Sequence, residues 1–161
     1  MESKAQTRRQ FCGRTCRIAS VAALGGALAT VLESCGGSGL TSASGVNASA
    51  LPTVSGTAAN GTIVVTIDGG SPLAAVGGAA LVRSSIGDAL VARTGDSTFV
   101  ALSSQCTHQA CEITGWGASR FVCPCHGSTF DTSGRVMNGP AASPLRQYTA
   151  QLAGNTLTIS A

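Results

Sequence analysis

An all-β fold, an antiparallel sandwich or barrel over residues 51–161, is predicted for this chain of 161 residues. No stretch after residue 50 keeps a helical spacing of apolar residues over two turns. Short runs of β-branched and other apolar residues recur instead at close intervals. Glycine-containing turns separate these runs, which is typical of hairpin-rich proteins.

The predicted strands are defined by their apolar and β-branched composition. The first runs from Thr62 to Ile67 and ends at the turn residues Asp68 and Gly69. Hairpins are predicted where two apolar runs flank a short loop that contains glycine, as at Gly95 and at Gly154. The other predicted strands are 80–83, 88–93, 97–102, 120–122, 145–152 and 156–159.

Residues 1–35 are predicted to be a targeting segment. A basic start is followed by an uncharged run of fifteen residues from Ile18 to Leu32, shorter than the ~20 residues that a membrane-spanning helix needs. An uncleaved short membrane anchor is the alternative. The pair Arg8-Arg9, followed by Gln10 and Phe11, resembles the twin-arginine signal, which exports proteins already folded. The expected location is therefore the periplasm or the outer face of the cytoplasmic membrane.

Cys35 ends a short segment, Leu32 to Cys35, that resembles a lipoprotein processing site, although Glu33 departs from the usual pattern. Cys35 is then either a lipidated N-terminus or an unpaired cysteine. Cys12 and Cys16 lie in the leader and are assigned no site. Residues 36–50 are rich in glycine, serine and alanine and carry no charge or aromatic ring, so they are predicted to be a flexible linker to the head domain.

The net charge of +3 comes from the leader. After Cys35 the chain has five arginines and five acidic residues, so the predicted domain has no net charge. A neutral domain argues against nucleic acid as a partner.

Sulfur and imidazole ligands are concentrated in two segments. The only two histidines of the chain and four of its seven cysteines lie between Cys106 and Cys111 and between Cys123 and His126. Cys106 and His108 form one thiolate–imidazole pair, and Cys123 and His126 form the other. Such ligands bind transition metals and iron–sulfur clusters.

The motif C-T-H-x-x-C followed by C-P-C-H-G-S resembles the Rieske iron–sulfur proteins, specifically the disulfide-bearing branch of cytochrome bc complexes. The similarity continues through Phe130-Asp131 and residues 134–136 to Gly139-Pro140. It implies a Rieske-type sandwich with one 2Fe–2S cluster near its tip. The implied iron ligands are Cys106, Cys123, His108 and His126. The two remaining cysteines, Cys111 and Cys125, are expected to form a disulfide between the loops.

Further residues are assigned by the same resemblance. Ser128 is expected to donate its hydroxyl to a cluster sulfur, and the loop around Pro140 is expected to cover the cluster. Phe130 stands where high-potential members carry tyrosine, so a lower potential is expected here. Gln109 stands where the family usually has a leucine facing the quinone pocket, so quinol docking is left open.

The expected function is one-electron transfer. Clusters with mixed cysteine and histidine ligands have reduction potentials of about −150 to +300 mV, whereas all-cysteine plant-type clusters have potentials of about −400 mV. The resemblance implies the iron–sulfur subunit of a quinol–cytochrome c reductase type complex, with cytochrome b and a cytochrome c-type acceptor as partners. The alternative is a stand-alone lipoprotein carrier, or the small subunit of an arsenite-oxidase-like periplasmic enzyme.

Three other kinds of protein use cysteines or histidines in related patterns. A zinc site accepts two cysteines and two histidines but leaves Cys111 and Cys125 unexplained. A thiol–disulfide oxidoreductase would use Cys123 and Cys125, whose single intervening residue departs from the usual C-x-x-C spacing. Rieske oxygenases and their ferredoxins lack the two additional cysteines and act in the cytosol.

Overall fold

The computed structural model describes residues 40–41 and 47–160, which lie in a compact unit spanning residues 37–161. This described part forms fourteen strands and no helix. None of it could therefore cross a bilayer as an apolar helix. The strands are β1 (Leu40–Thr41), β2 (Asn47–Ala50), β3 (Thr53–Ser55), β4 (Thr57–Ala59), β5 (Thr62–Thr66), β6 (Ala79–Arg83), β7 (Ala89–Arg93), β8 (Phe99–Ser103), β9 (Gly115–Gly117), β10 (Arg120–Val122), β11 (Thr129–Phe130), β12 (Val136–Asn138), β13 (Gln147–Ala153) and β14 (Thr156–Ser160).

Eight strands form a sheet whose two ends are joined by one bent strand. Its order is β3-β6-β7-β8-β13-β14-β5-β4, so consecutive strands β3 and β4 stand at opposite ends. Only Gly56 separates them, and a Cβ there would clash with the side chain of Ile63. Glycine is typical where a strand turns the corner of a barrel. The predicted all-β class is thus confirmed; the pairing is antiparallel except between β3 and β6.

The central strands β6, β7 and β8 are buried on both faces because their side chains alternate between two apolar clusters. Val82, Val91 and Ala101 pack in the cluster on one face. Leu81, Leu90 and Leu102 pack in the cluster on the other face, which also holds Cys106 and Cys123. Apolar packing therefore continues from the large sheet to the cysteines of the two loops.

The smaller sheet has the order β1-β2-β9-β10-β11-β12, and both cysteine–histidine segments lead into it. The first cysteine–histidine segment connects β8 to β9, and the second connects β10 to β11. The rings of Trp116 and Phe121 lie across β9 and β10 with centroids 4.7 Å apart. This small sheet thus supports the second loop from both of its flanking strands.

The start of the folded region differs from the expectation. Residues 47–50 belong to the predicted linker 36–50, yet they form β2, which pairs with β9. Ala48 is buried there. Gly117 makes the pairing possible, because a Cβ at that position would clash with the carbonyl oxygen of Asn47. The small residues of β2 have low strand propensity, so composition alone did not reveal this strand.

The predicted strands at 62–67, 80–83, 88–93, 97–102, 120–122, 145–152 and 156–159 are confirmed, with ends shifted by one or two residues. The predicted targeting segment 1–35, with Arg8-Arg9 and Cys35, lies outside the described residues.

Candidate metal centre

Loop 1, Cys106–Cys111, is closed by hydrogen bonds within its own backbone. The Cys106 N–H donates to the Cys111 carbonyl at 2.8 Å, and the Ala110 N–H donates to the Cys106 carbonyl at 2.8 Å. Just outside the loop, Gln105 and Glu112 form a β-bridge. Ala110 takes a left-handed conformation with φ of 55°, which costs a non-glycine residue roughly 1–2 kcal/mol.

Loop 2, Cys123–Ser128, follows the same plan. The N–H of its first residue, Cys123, donates to the carbonyl of its sixth, Ser128, at 2.8 Å. The N–H of its fifth residue, Gly127, donates a hydrogen bond to the Cys123 carbonyl at 3.1 Å. Like Ala110, Gly127 has a left-handed backbone conformation, with φ of 73°. Both loops therefore hold their first cysteine in the same backbone frame.

The predicted disulfide between Cys111 and Cys125 is confirmed. Their Cα atoms are 6.6 Å apart, and the bond joins positions 14 residues apart in the sequence. The sulfur of Cys123 lies within 4.8 Å of both disulfide sulfurs. Because Cys111 and Cys125 are bonded to each other, they are not thiolate ligands. The disulfide instead lies beside the Cys123 thiol.

Cys106 and Cys123 are free thiols and are almost fully buried, with 3% and 1% of their surfaces exposed. Burial raises the pKa of the Cys123 thiol, and the neighbouring Cys106 thiol raises this pKa further. The N–H groups of Cys125 and His126 donate toward the Cys123 sulfur and oppose that rise. These donors favour a charged sulfur, although the surroundings are apolar.

The two histidines, one from each loop, meet at the surface. Nδ1 of His108 lies 3.3 Å from Nδ1 of His126, and the ring planes are perpendicular. His126 is exposed and His108 is half-buried. The four residues predicted as iron ligands are therefore brought together in pairs, two nitrogens facing each other and two sulfurs side by side.

A third loop, residues 139–143, is fastened to both metal-binding loops. The Ser128 hydroxyl accepts a hydrogen bond from the Ala141 N–H at 3.1 Å. The Thr107 hydroxyl donates to the Ser143 carbonyl at 2.6 Å. Gly139 has φ of 96°, and a Cβ there would lie 2.5 Å from the Cα of Ser128. The predicted loop around Pro140 therefore lies against the site, with Pro140 itself exposed.

Phe130 and Thr129 follow loop 2 in β11, and both are fully buried. Phe130 packs in the apolar cluster that contains Cys106 and Cys123. The Thr129 hydroxyl oxygen has no hydrogen-bond partner among the described residues. Phe130 thus contributes apolar packing beside the two free cysteines.

One ionic contact near loop 1 was not predicted. Arg83 in β6 donates two hydrogen bonds to Glu112, the residue that follows Cys111. The two residues are 29 positions apart, so no local pattern links them. The only available signal was that Glu112 is the single glutamate after residue 35.

The donor set fits a metal centre that binds sulfur. Two buried thiols side by side are unfavourable as thiolates unless a cation compensates their charge. Metal binding deprotonates such thiols. The combination of two sulfurs and two imidazole nitrogens suits a mixed-ligand 2Fe–2S cluster, and it also suits zinc.

Comparison with known proteins decides between these two centres. The family model described as Rieske [2Fe-2S] domain matches residues 70–149, which include both loops. The cytochrome b6-f complex iron–sulfur subunit of Chlorobaculum thiosulfatiphilum is 38% identical over 61 residues, which are 37% of this chain and 34% of that protein. The match therefore spans about a third of the length of this curated relative.

Two solved structures are similar as well. The plasma membrane Rieske protein PetC3 from the cyanobacterium Synechocystis is 34% identical, with a TM-score of 0.47, over 52% of this chain and 86% of that one. Naphthalene 1,2-dioxygenase is 19% identical, with a TM-score of 0.51, over 62% of this chain and 25% of that one, a likeness of fold alone. The family match and the curated relative, together with the paired loops, establish that the chain belongs to the Rieske family of iron–sulfur proteins and that its domain binds one 2Fe–2S cluster.

Proposed function

We propose that Cys106, Cys123, His108 and His126 hold the cluster, and that the chain relays single electrons as the iron–sulfur subunit of a quinol–cytochrome c reductase type complex. The observation that carries the ligand assignment is the facing pair of Nδ1 atoms, 3.3 Å apart, in the two loops that also hold the two buried free thiols. No other histidine exists in the chain.

Bound between the loops, the cluster supplies one-electron redox chemistry. The chain determines the surroundings in which this takes place. Cys106 and Cys123 are shielded from water by the apolar cluster around Phe121 and Phe130. Because the Nδ1 atoms face each other, Nε2 of the exposed His126 is left to hold a proton and to donate a hydrogen bond to a partner.

The ligand assignment is tested by replacing each histidine separately with serine. His108→Ser and His126→Ser should each abolish the red-brown colour and the rhombic EPR signal of the reduced protein. Gln109→Ser, which changes an exposed neighbour of His108, is the matched control and should retain both. If the visible absorption survives both histidine replacements, the ligand assignment is wrong.

The proposed partners are cytochrome b, a cytochrome c-type acceptor and a quinol donor. Support comes from the similarity to an iron–sulfur subunit of a cytochrome b6-f complex. Mild detergent extraction followed by affinity purification of the tagged chain should recover haem b with the 2Fe–2S signal. The purified assembly should reduce cytochrome c when a quinol is added.

A stand-alone carrier is the second candidate, and one observation favours it. Gln109, next to the ligand His108, places an exposed polar side chain at the tip, whereas a quinone pocket calls for an apolar contact. Under this alternative the chain would purify with its cluster but without haem b. Gln109→Leu would then leave its electron-transfer rate to a soluble acceptor unchanged.

We propose that the chain is exported by the twin-arginine route and stays at the outer face of the cytoplasmic membrane, held by an N-terminal anchor or by a lipid on Cys35. Support comes from the sequence of the leader alone. Replacing Arg8 and Arg9 with lysine should retain the chain in the cytoplasm, whereas the same change at Arg14 and Arg17 should not. Cys35→Ala should release the exported domain from the membrane only if Cys35 carries the lipid.

A further inference from the structure

Three charged side chains join the large sheet to the exit of loop 1. Arg83, the last residue of β6, donates from Nη1 and Nη2 to the two carboxylate oxygens of Glu112, each at 2.7 Å. The same Nη1 donates to Oδ2 of Asp88 at 2.6 Å. Within residues 47–160 no other salt bridge forms, so this contact is the ionic link between the large sheet and the metal-binding loops.

Glu112 occupies a position from which both loops can be held. It follows Cys111 directly, and it pairs with Gln105 across the base of loop 1. Cys111 is bonded to Cys125, which precedes the proposed ligand His126. A constraint on Glu112 therefore reaches loop 1 through the backbone and loop 2 through the disulfide.

The exposure of the three side chains argues that this contact serves geometry more than stability. The side chains of Arg83, Asp88 and Glu112 are 45%, 25% and 38% exposed. Exposed ion pairs add little to the free energy of unfolding. A two-point bond between a guanidinium and a carboxylate nevertheless fixes the relative orientation of its partners.

We propose that Arg83 is a positioning residue for the metal centre: its two-point bond to Glu112 fixes loop 1 against the large sheet and neutralises the carboxylate beside the disulfide. This role rests on the cluster ligation proposed above. Asp88 assists by accepting from the same guanidinium, while its second carboxylate oxygen accepts the Ser84 N–H at 3.3 Å and ties it to its own turn.

The two halves of this role have different signatures. Arg83→Gln leaves the Glu112 carboxylate uncompensated, so an electron added to the cluster meets more negative charge and the midpoint potential falls. Glu112→Gln removes that negative charge, so the midpoint potential rises. Both variants break the two-point bond. Both should therefore make the Cys111–Cys125 disulfide of the cluster-free protein easier to reduce.

The experiment uses the full-length chain with and without its cluster. Voltammetry of the cluster-loaded protein should give a lower midpoint potential for Arg83→Gln and a higher one for Glu112→Gln. In the cluster-free protein, a phosphine should reduce the Cys111–Cys125 disulfide roughly threefold faster in both variants. Arg83→Lys keeps the charge but not the two-point bond. Its midpoint potential should therefore match that of the wild type, while its disulfide should still be reduced faster than in the wild type. Arg146→Gln, which removes an arginine that forms no salt bridge within residues 47–160, should change neither quantity.

Two results would overturn the role of Arg83. One is a shift of both potentials in the same direction, and the other is a pair of variants indistinguishable from Arg146→Gln. A wild-type chain that holds no pigment would instead refute the proposed function. The reduction rates are measured without the cluster, so they still decide whether Arg83 positions the loop.

Discussion

The disulfide between the loops offers the most quantitative prediction. Replacing Cys111 and Cys125 together with serine removes the only disulfide among residues 47–160, which links loop 1 to loop 2. Both must be changed, because a single leftover thiol would lie near the Cys123 sulfur, which is within 4.8 Å of both disulfide sulfurs. The double variant should fold, but with a less stable cluster-free domain.

The magnitude follows from the length of the closed loop. With the two cysteines 14 positions apart in the sequence, the loop-entropy model gives a loss of about 3 kcal/mol at 25 °C. Residues 47–160 make a domain of about 114 residues, for which the unfolding entropy is about 0.24 kcal/mol/K. The midpoint of thermal unfolding should therefore fall by about 12 °C.

Thermal unfolding of the cluster-free chain, followed by circular dichroism, measures this shift. Wild-type protein treated with a phosphine is the control and should unfold at the temperature of the double variant. If the variant keeps a native spectrum and its midpoint falls by less than about 3 °C, the loops are held by their backbone frame and the entropic reasoning is refuted.

Four further predictions concern single residues around the site. Thr129→Val should stabilise the domain against urea by about 1 kcal/mol, because the buried hydroxyl has no partner; the exposed Thr149→Val should have no effect. Gly139→Ala should destabilise the domain by about 3 kcal/mol, since it combines left-handed strain with a clash against Ser128; equal stability in urea would contradict the close approach. In Asp131, burial raises the carboxyl pKa, but hydrogen bonds from the Ser133 hydroxyl and from the N–H groups of Arg135 and Ser133 outweigh it, so the net pKa is lowered. The stabilisation from Asp131 is therefore present above the unfolded pKa of about 3.9 and is lost as the pH falls through the lower folded value, so urea midpoints of wild type and Asp131→Asn should converge below about pH 4. Phe130→Tyr should raise the midpoint potential in voltammetry by adding a hydroxyl donor next to the cysteines, and an unchanged potential would count against that idea.

The sequence predicted the strands whose composition is locally distinctive. β5, β7, β8 and β14 contain β-branched or large apolar residues and each adjoins a glycine-containing turn, so their pattern was sufficient. β2, β3 and β4 are built largely from small residues, and β2 and β3 pair with strands far along the chain, whereas β4 pairs locally with β5. The joining of the sheet ends at Gly56 depends on packing against Ile63, which a local pattern cannot reveal.

The residues of the site also fall into two groups, those that the sequence predicted and those that only the structure revealed. The four cysteines and two histidines of the loops were found because their spacing is itself a chemical signature. The contact from Arg83 to Glu112 joins β6 to the residue that follows loop 1, so it became visible only in the folded structure. The orphan hydroxyl of Thr129 was equally hidden, since its burial is a property of the whole small sheet.

The shared backbone plan of the two loops makes their differences informative. Histidine occupies the third place in loop 1 and the fourth in loop 2, and in loop 2 the third place is taken by the disulfide cysteine Cys125. The histidine is thus shifted by one position between the loops, and the two imidazoles are unequally exposed, His108 being half-buried and His126 exposed. The ring of His126 is therefore open to an approaching molecule over more of its surface than the ring of His108.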